Sequence, residues 1–333
     1  MAAKKIKDTD YLYLSAYIHA RENNIIGKDR IERMLEARSP EEALKVLEEA
    51  GWKLPDDCGA AELEEILSAR RDEAFGDMGS LAPNTALVDA FRIRYDYHNA
   101  KVLVKAEAAG LQADTLLSGA GRVSAEKISE CFLEKRLDSL PKALGDAISD
   151  AADVLARTGD PQLADFVLDK AYYAEFAAEA AASGSSFFAG YAALAVDGAN
   201  LKSLVRAFRM KKDVDFIGRI IMDGGTVKSI YILSMASEPE SALGLFSNTP
   251  LAQAAELGKL AVSGGKMTDF EKCCDDALNA YMSDAKLSPF GEKPLIGYLS
   301  AVEAEINSVR IVMAGQFAGL PAELTRRRLR AGI

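Results

Sequence analysis

Two pairs of adjacent acids are the first groups in the chain that could do chemistry: Asp275-Asp276 and Asp56-Asp57. Paired carboxylates hold magnesium for phosphate chemistry when further acids or phosphates complete the shell. Three residues beyond Asp276 stands Asn279, so a D-D-x-x-D set is not met, and the turn-rich stretch Trp52 to Gly59 around Asp56-Asp57 holds no third acid. Both pairs read as solvated charge. Only His19 and His98 are present, and neither an H-E-x-x-H nor a Cys/His cluster accompanies them, which argues against zinc. Gly264-Gly265-Lys266 is followed by Met267 and lacks the upstream glycine of a phosphate cradle. The Gly119-Ala-Gly121 and Gly224-Gly225 pairs read as turns, and no G-x-S-x-G elbow occurs. The expectation is a chain with no catalytic, cofactor or metal site of its own.

The most informative spacing is a repeat. Asp96-x-x-Asn99-x-Lys101-x-Leu103-Val104-Lys105 recurs 101 residues later as Asp197-x-x-Asn200-x-Lys202-x-Leu204-Val205-Arg206. A fainter copy, Glu305 to Val312, lies a further 108 residues on; it keeps the acid, the base at Arg310 and the aliphatic at Val312, and loses the Asn. Three copies at this period imply a triplicated unit. At about 100° per residue, Asp96, Asn99 and Leu103 share one helical stripe while Lys101 and Lys105 lie on the far side, and Asp197, Asn200, Leu204, Lys202 and Arg206 repeat both. Like charges at i and i+4 repel by a few tenths of a kcal/mol in an isolated helix, so something compensates. One reading is internal salt bridging with a solvated edge; the other is a repeated basic stripe facing a partner. Asp96, Asn99, Lys101, Lys105, Asp197, Asn200, Lys202, Arg206, Glu305 and Arg310 are therefore the candidate partner-interface or inter-unit residues.

Composition sets outer bounds. A net charge of -10 and a pI near 5.0 argue against nucleic acid as the main partner. Cys58, Cys131, Cys273 and Cys274 form no C-x-x-C pattern and read as reduced thiols. The apolar run Tyr11 to Ala20 follows Asp8 and Asp10 and no small-residue cleavage site, so it does not read as a secretory signal. The longest uncharged run, Ala180 to Val196, is Ala-rich and interrupted by Ser183-Gly-Ser-Ser186, so no transmembrane segment is expected.

The elements that must carry the repeat are helices. Pro83 and Asn84 or Thr85 open a long helix that Gly110 can end, and Ser39-Pro40-Glu41-Glu42 is a second helix start. A helix over Glu62 to Phe75 and a linker over Gly76 to Pro83 precede the first copy. The second copy sits on a helix from about Ser186 to Met210 and the third on one from Pro294 to about Phe317. Asp223-Gly-Gly225-Thr-Val227 corresponds to Gly119-Ala-Gly121-Arg-Val123, the same glycine turn after the same helix. No alternating run of β-branched residues is found, so the expected class is all-α. The repeats divide it into helical units at 8–117, 118–212 and 213–333.

Several motifs, taken together, carry a family resemblance. They are Asp10-Tyr11 with Ala20-Arg21 and Leu35; Tyr95 to Leu103; Asp197 to Arg206; Pro294-Leu-Ile-Gly-Tyr298 with Glu303-x-Glu305 and Val309-Arg310-Ile311; and Gly319-Leu-Pro321 before an Arg-rich end. In this order and spacing the chain resembles the C-subunit family of bacterial and archaeal V/A-type rotary ATPases, the counterpart of the eukaryotic d-subunit. The resemblance implies a funnel of three similar helical units about a pseudo-threefold axis. It implies a non-catalytic central-stalk component whose partners are the central-shaft subunits of the catalytic head and the membrane rotor ring, peripheral on the cytoplasmic face of the membrane. The competing class is a helical-repeat adaptor, whose repeats would run to about 34–47 residues; no such period is found.

Overall fold

A computed structural model describes residues 6–113 and 116–330. The protein is all-α, with no strand among the described residues. Its helices are α1 (Leu12–Glu22), α2 (Lys28–Glu36), α3 (Pro40–Glu49), α4 (Ala60–Leu81), α5 (Ala86–Ala109), α6 (Ala125–Leu133), α7 (Lys142–Thr158), α8 (Pro161–Ala182), α9 (Ser186–Arg209), α10 (Val214–Ile220), α11 (Ser229–Ser234), α12 (Pro239–Gly244), α13 (Ala252–Val262), α14 (Met267–Ser283), α15 (Glu292–Phe317) and α16 (Ala322–Arg326).

The described residues fall into two compact units, one spanning 89–265 and the other combining 6–88 with 266–330. In the continuous unit, α8 packs along α7 and α9, and α9 also carries α10, α12 and α13. Its core includes an aromatic cluster in which Phe188 stacks on Phe91 at 5.4 Å between ring centroids and meets Phe176 edge-on at 5.6 Å. In the discontinuous unit, α15 is the central rod, touching α1, α2, α3, α4, α14 and α16. Its sequence explains this. Apolar residues occupy most of its circumference, and a helix so built belongs largely inside; Leu295, Ile296, Leu299, Val302, Ile306, Val309 and Val312 are all buried, while Asn307 and Ala314 stay exposed along one edge.

The three long helices bearing the repeat stop in the same way. Fourteen residues after Asp96, Asp197 and Glu305 stand Gly110, Lys211 and Gly319, with φ of 66°, 54° and 63°. The next amide then reaches back to a carbonyl five residues earlier: Leu111 to Ala106 at 2.9 Å, Lys212 to Ala207 at 3.0 Å and Leu320 to Gly315 at 2.9 Å. This left-handed cap occupies carbonyls the helix leaves unpaired. At Lys211 the second copy adopts it without glycine.

The helix expected to stop at Phe75 continues to Leu81, so of the expected Gly76 to Pro83 linker only the last two residues lie outside it. Gly76 and Gly79 give this stretch the look of a linker, since each costs a helix about 1 kcal/mol relative to Ala. Packing overrides that cost. Met78 is fully buried, and Asp77 accepts hydrogen bonds from Tyr17 at 2.8 Å and from Arg21 at 2.5 Å. Elsewhere the sequence signals place the starts well: Ser39 and Ser124 each accept the amide three residues on, Glu42 at 3.3 Å and Lys127 at 3.2 Å.

Candidate functional site

The repeated stripe turns inward, and its polar residues each hold a loop. On α5, Asp96 is fully buried; one carboxylate oxygen accepts the Val123 amide at 3.1 Å and the other the Arg122 guanidinium at 2.8 Å. One turn on, the buried Asn99 carboxamide pairs with both main-chain groups of one residue: Ser118 N–H donates to its oxygen at 2.7 Å, and its nitrogen donates to Ser118 C=O at 2.8 Å. On α9 the arrangement recurs. Asp197 accepts the Val227 amide at 3.1 Å and the Thr226 amide at 3.0 Å, and the Thr226 hydroxyl donates to it as well. Asn200 pairs with both main-chain groups of Met222, at 2.9 and 2.8 Å. Ser118 and Met222 stand five residues before Val123 and Val227 respectively, so the two loops share one register.

Those loops come close because they contain glycine. A Cβ on Gly121 would lie 2.4 Å from Asp96 Oδ1, and one on Gly225 would lie 2.1 Å from Asp197 Oδ1. The turn glycines are there to let the carboxylate reach the main chain.

The third copy makes the same junction with a loop from the other end of the chain. On α15, Glu305 is fully buried and accepts the Ile26 amide at 2.7 Å, while its other oxygen accepts Arg70 Nε at 3.2 Å. Ile26, Val123 and Val227 each precede the N-cap residue of a short helix: Gly27 of α2, Ser124 of α6 and Lys228 of α11. The position of the two turn glycines is here Asn24, and the acid is one methylene longer. The copy without glycine at this position is thus also the one with the longer acid. Ser308, also buried, stands where the other copies have Asn.

Burial dominates the electrostatics. It pushes the Asp96, Asp197 and Glu305 carboxyls above the usual carboxylate range, and their hydrogen bonds pull them part of the way back. Arg122 links Asp96 to Glu175 at 2.8 Å, and Tyr97 donates to the same Glu175 at 2.8 Å. Beside Glu305, Arg71 donates to the buried Glu303 at 3.0 Å.

The basic members point the other way. Lys101 and Lys105 on α5 pair with Asp169 and Asp165 on α8, at 2.6 and 3.2 Å. Arg310 on α15 makes a forked pair with Glu64 on α4, at 2.8 and 2.5 Å. Lys202 is half-buried on α9 and Arg206 is exposed there. Asp275 pairs with Arg330 at 2.7 Å, and Arg326 pairs with Glu32. Sequence reasoning missed the receiving side, namely Ile26, Arg70, Arg122, Ser118 and Met222; the only sequence trace of it was the Gly-x-Val correspondence. Among the described residues no group of three or more His, Cys, Asp or Glu is arranged to hold a metal, and no helix is long and apolar enough to cross a membrane.

The chain is thus all-α, with a buried acid repeated on three long helices, each clasping the loop ahead of a short helix. Residues 14–328 match the family model described as ATP synthase (C/AC39) subunit, and the chain belongs to that family. It is similar to the C-subunit of the V-type sodium ATPase of Enterococcus hirae, 24% identical over 324 residues that cover 96% of this chain and 98% of the relative. It is also similar to the C-subunits of the A-type ATP synthases of Methanothermobacter thermautotrophicus, at 25% identity covering 96% and 87%, and Methanocaldococcus jannaschii, at 21% covering 96% and 86%. The chain is one of the subunits of a V/A-type rotary ATPase, and its partners are other subunits of that complex.

Proposed function

We propose that this chain is the central-stalk piece that carries rotation between the shaft of the catalytic head and the ion-carrying ring in the membrane, reacting with nothing itself. The observation that carries the reading is the junction made three times over, at Asp96, Asp197 and Glu305, the last tying the C-terminal long helix to the N-terminal loop. A part that transmits torque must not creep under load. Buried, fully bonded carboxylates and closely packed helices give low compliance. On this reading the repeats form three units, at 8–117, 118–212 and 213–333, about a pseudo-threefold axis. The protein sits on the cytoplasmic face of the membrane, peripheral to it.

The same reading assigns Lys101, Lys105, Lys202, Arg206 and Arg310 either to holding the units together or to lining the shaft side. The pairs to Asp169, Asp165 and Glu64 favour the first role for Lys101, Lys105 and Arg310. The test is reconstitution. A complex purified without this chain is expected to hydrolyse ATP while driving no ion flux, and adding the wild-type chain back is expected to restore the flux. Flux that is unaffected by the chain's absence sinks the proposal.

A further inference from the structure

The shared register of the three junctions aligns the short helices that follow them, and one of the three is unlike the others. Counting from Ile26, Val123 and Val227, the fifth residue onward is Ile31, Ile128 and Ile232, all buried, and the ninth is Leu35, Phe132 and Ala236, also buried. Between these inward positions, α2 and α6 carry polar or charged residues. At the third position stand Asp29 and Glu126, at the fourth Arg30 and Lys127, and at the sixth Glu32 and Ser129. On α11 the same three positions are Ile230, Tyr231 and Leu233, and they are 70%, 60% and 36% exposed. Met235 extends the patch at 41% exposure where the other copies bury Met34 and Cys131. Ile230 and Leu233 are i,i+3 neighbours and Tyr231 and Met235 are i,i+4 neighbours, two adjoining apolar pairs on the exposed side of α11 and its C-cap.

Clustered exposed apolar side chains mark an interaction site, and replacement of charged or polar residues by Ile, Tyr and Leu at equivalent positions of one chain is not a requirement of the fold. The rim says what covers the face. The exposed charged residues flanking α11 in sequence and on the adjoining α10 are Asp215, Asp223, Glu238 and Glu240 against Arg219 and Lys228, a net charge of -2, and the whole chain carries -10. A second copy docking about a twofold axis would oppose like rims, and an anionic lipid surface would repel them. A basic partner is attracted.

We infer that the α11 face is the seat of a basic surface carrying apolar side chains, presented by another component of the ATPase, with Tyr231 as an anchor. This rests on the reading of the chain as a working part of that complex, and it assigns the contact to the third repeat alone.

The variant I230E/Y231K/L233S gives α11 the side chains that α6 already carries at these positions, so folding and thermal midpoint are expected to be unchanged. The full chain is titrated into complex purified without it, and co-elution is measured at about 0.15 M and about 0.5 M salt. The wild type is expected to bind, the triple variant about tenfold or more weakly, and E238K/E240K more weakly with its salt dependence reversed. A triple variant with its midpoint unchanged that binds like wild type overturns the inference while leaving the central-stalk reading standing. So does a wild type that sediments as a dimer dissociated by the triple substitution, or one that floats with anionic vesicles through Tyr231. A wild-type chain that does not join the complex overturns both.

Discussion

Glu305 accepts the main-chain N–H of Ile26 at 2.7 Å across 279 residues of chain, and the geometry is that of Asp96 with Val123 and Asp197 with Val227. The contact is the long-range member of a set whose other members are local. It is also the place where loss of one side chain should cost most. Truncation by Glu305→Ala strands the Arg70 guanidinium, 14% exposed, and a buried amide. Unpairing a buried charge costs about 3–5 kcal/mol. Urea titration is expected to show a loss of that order; a loss below about 1 kcal/mol would mean that water replaces the carboxylate freely.

The glycine turns give a sharper geometric test. Gly121→Ala and Gly225→Ala each drive a methyl into a carboxylate oxygen, and overpacking of this kind costs about 1–3 kcal/mol. Gly119→Ala, two residues away with open space around its Cα, is expected to be neutral within about 0.5 kcal/mol. Equal losses at Gly119 and Gly121 would show that the turn, and not the acid, requires glycine. Pairing Gly121→Ala with a longer acid, Asp96→Glu, would test whether the exchange seen in the third copy is compensatory.

The pH dependence has a definite sign. Burial raises the folded-state pKa of Asp197 above its unfolded value of about 3.9. Between those two values the folded chain therefore binds more protons than the unfolded chain. The stability contributed by Asp197 is full below the unfolded pKa, falls as pH rises towards the folded pKa, and is flat above it. Asp197→Asn removes the titration and places an amide donor against Thr226. The stability advantage of wild type over the variant is expected to be larger near pH 4, about the unfolded pKa, than at pH 7. An advantage that grows with pH would mean the hydrogen bonds from Val227 and Thr226 outweigh burial.

The basic stripe should behave as structure, but weakly. Lys101 and Asp169 are 25% and 40% exposed, and ion pairs this accessible couple by about 0.2–1 kcal/mol. A double-mutant cycle with Lys101→Ala and Asp169→Ala is expected to return a coupling in that range, shrinking in high salt. Zero coupling would return Lys101 to the shaft-facing role.

His19 offers a spectroscopic check. Its Nδ1 lies 2.8 Å from Glu22 and its Nε2 3.2 Å from the Pro289 carbonyl, so both nitrogens face acceptors and the geometry suits the imidazolium. The hydrogen bond to Glu22 leads in raising its pKa. With only two histidines in the chain, proton NMR titration can follow both, and the His19 midpoint is expected above 6.5. A midpoint below that value would break the assignment of both ring nitrogens to acceptors. The associated stability is present below the unfolded pKa and lost as pH rises through the folded one.

The helical class and the three long helices were legible because the Asp-x-x-Asn stripe repeats nearly intact and strand signals are missing. The glycine-turn correspondence was legible for the same reason, and the structure gives it a cause in the approach of Asp96 and Asp197. What each acid grips was not legible. Hydrogen bonding to an amide 27 or 30 residues on depends on loop register, which side-chain pattern does not encode. Nor was the partner of Glu305, since nothing in Asn23-Asn24-Ile25-Ile26 announces a link to the opposite end of the chain. The full length of α4 was hidden by two glycines whose local cost Met78 and Asp77 outweigh through contacts made far along the chain.

The Glu305–Ile26 contact also orders events in time. The junctions of α5 and α9 close within a few dozen residues, so the unit spanning 89–265 can collapse from one uninterrupted stretch as it leaves the ribosome. The other unit has to wait. Its first helices are synthesised early and lack their central rod until α15 emerges some 200 residues after α4. Closing so long a loop slows folding and keeps Ile18, Ile26 and Leu67, buried in the finished protein, without cover meanwhile. Chains stalled or truncated before α15 are thus the species in which a chaperone would find sticky surface, and they would finish the middle of the molecule before its beginning.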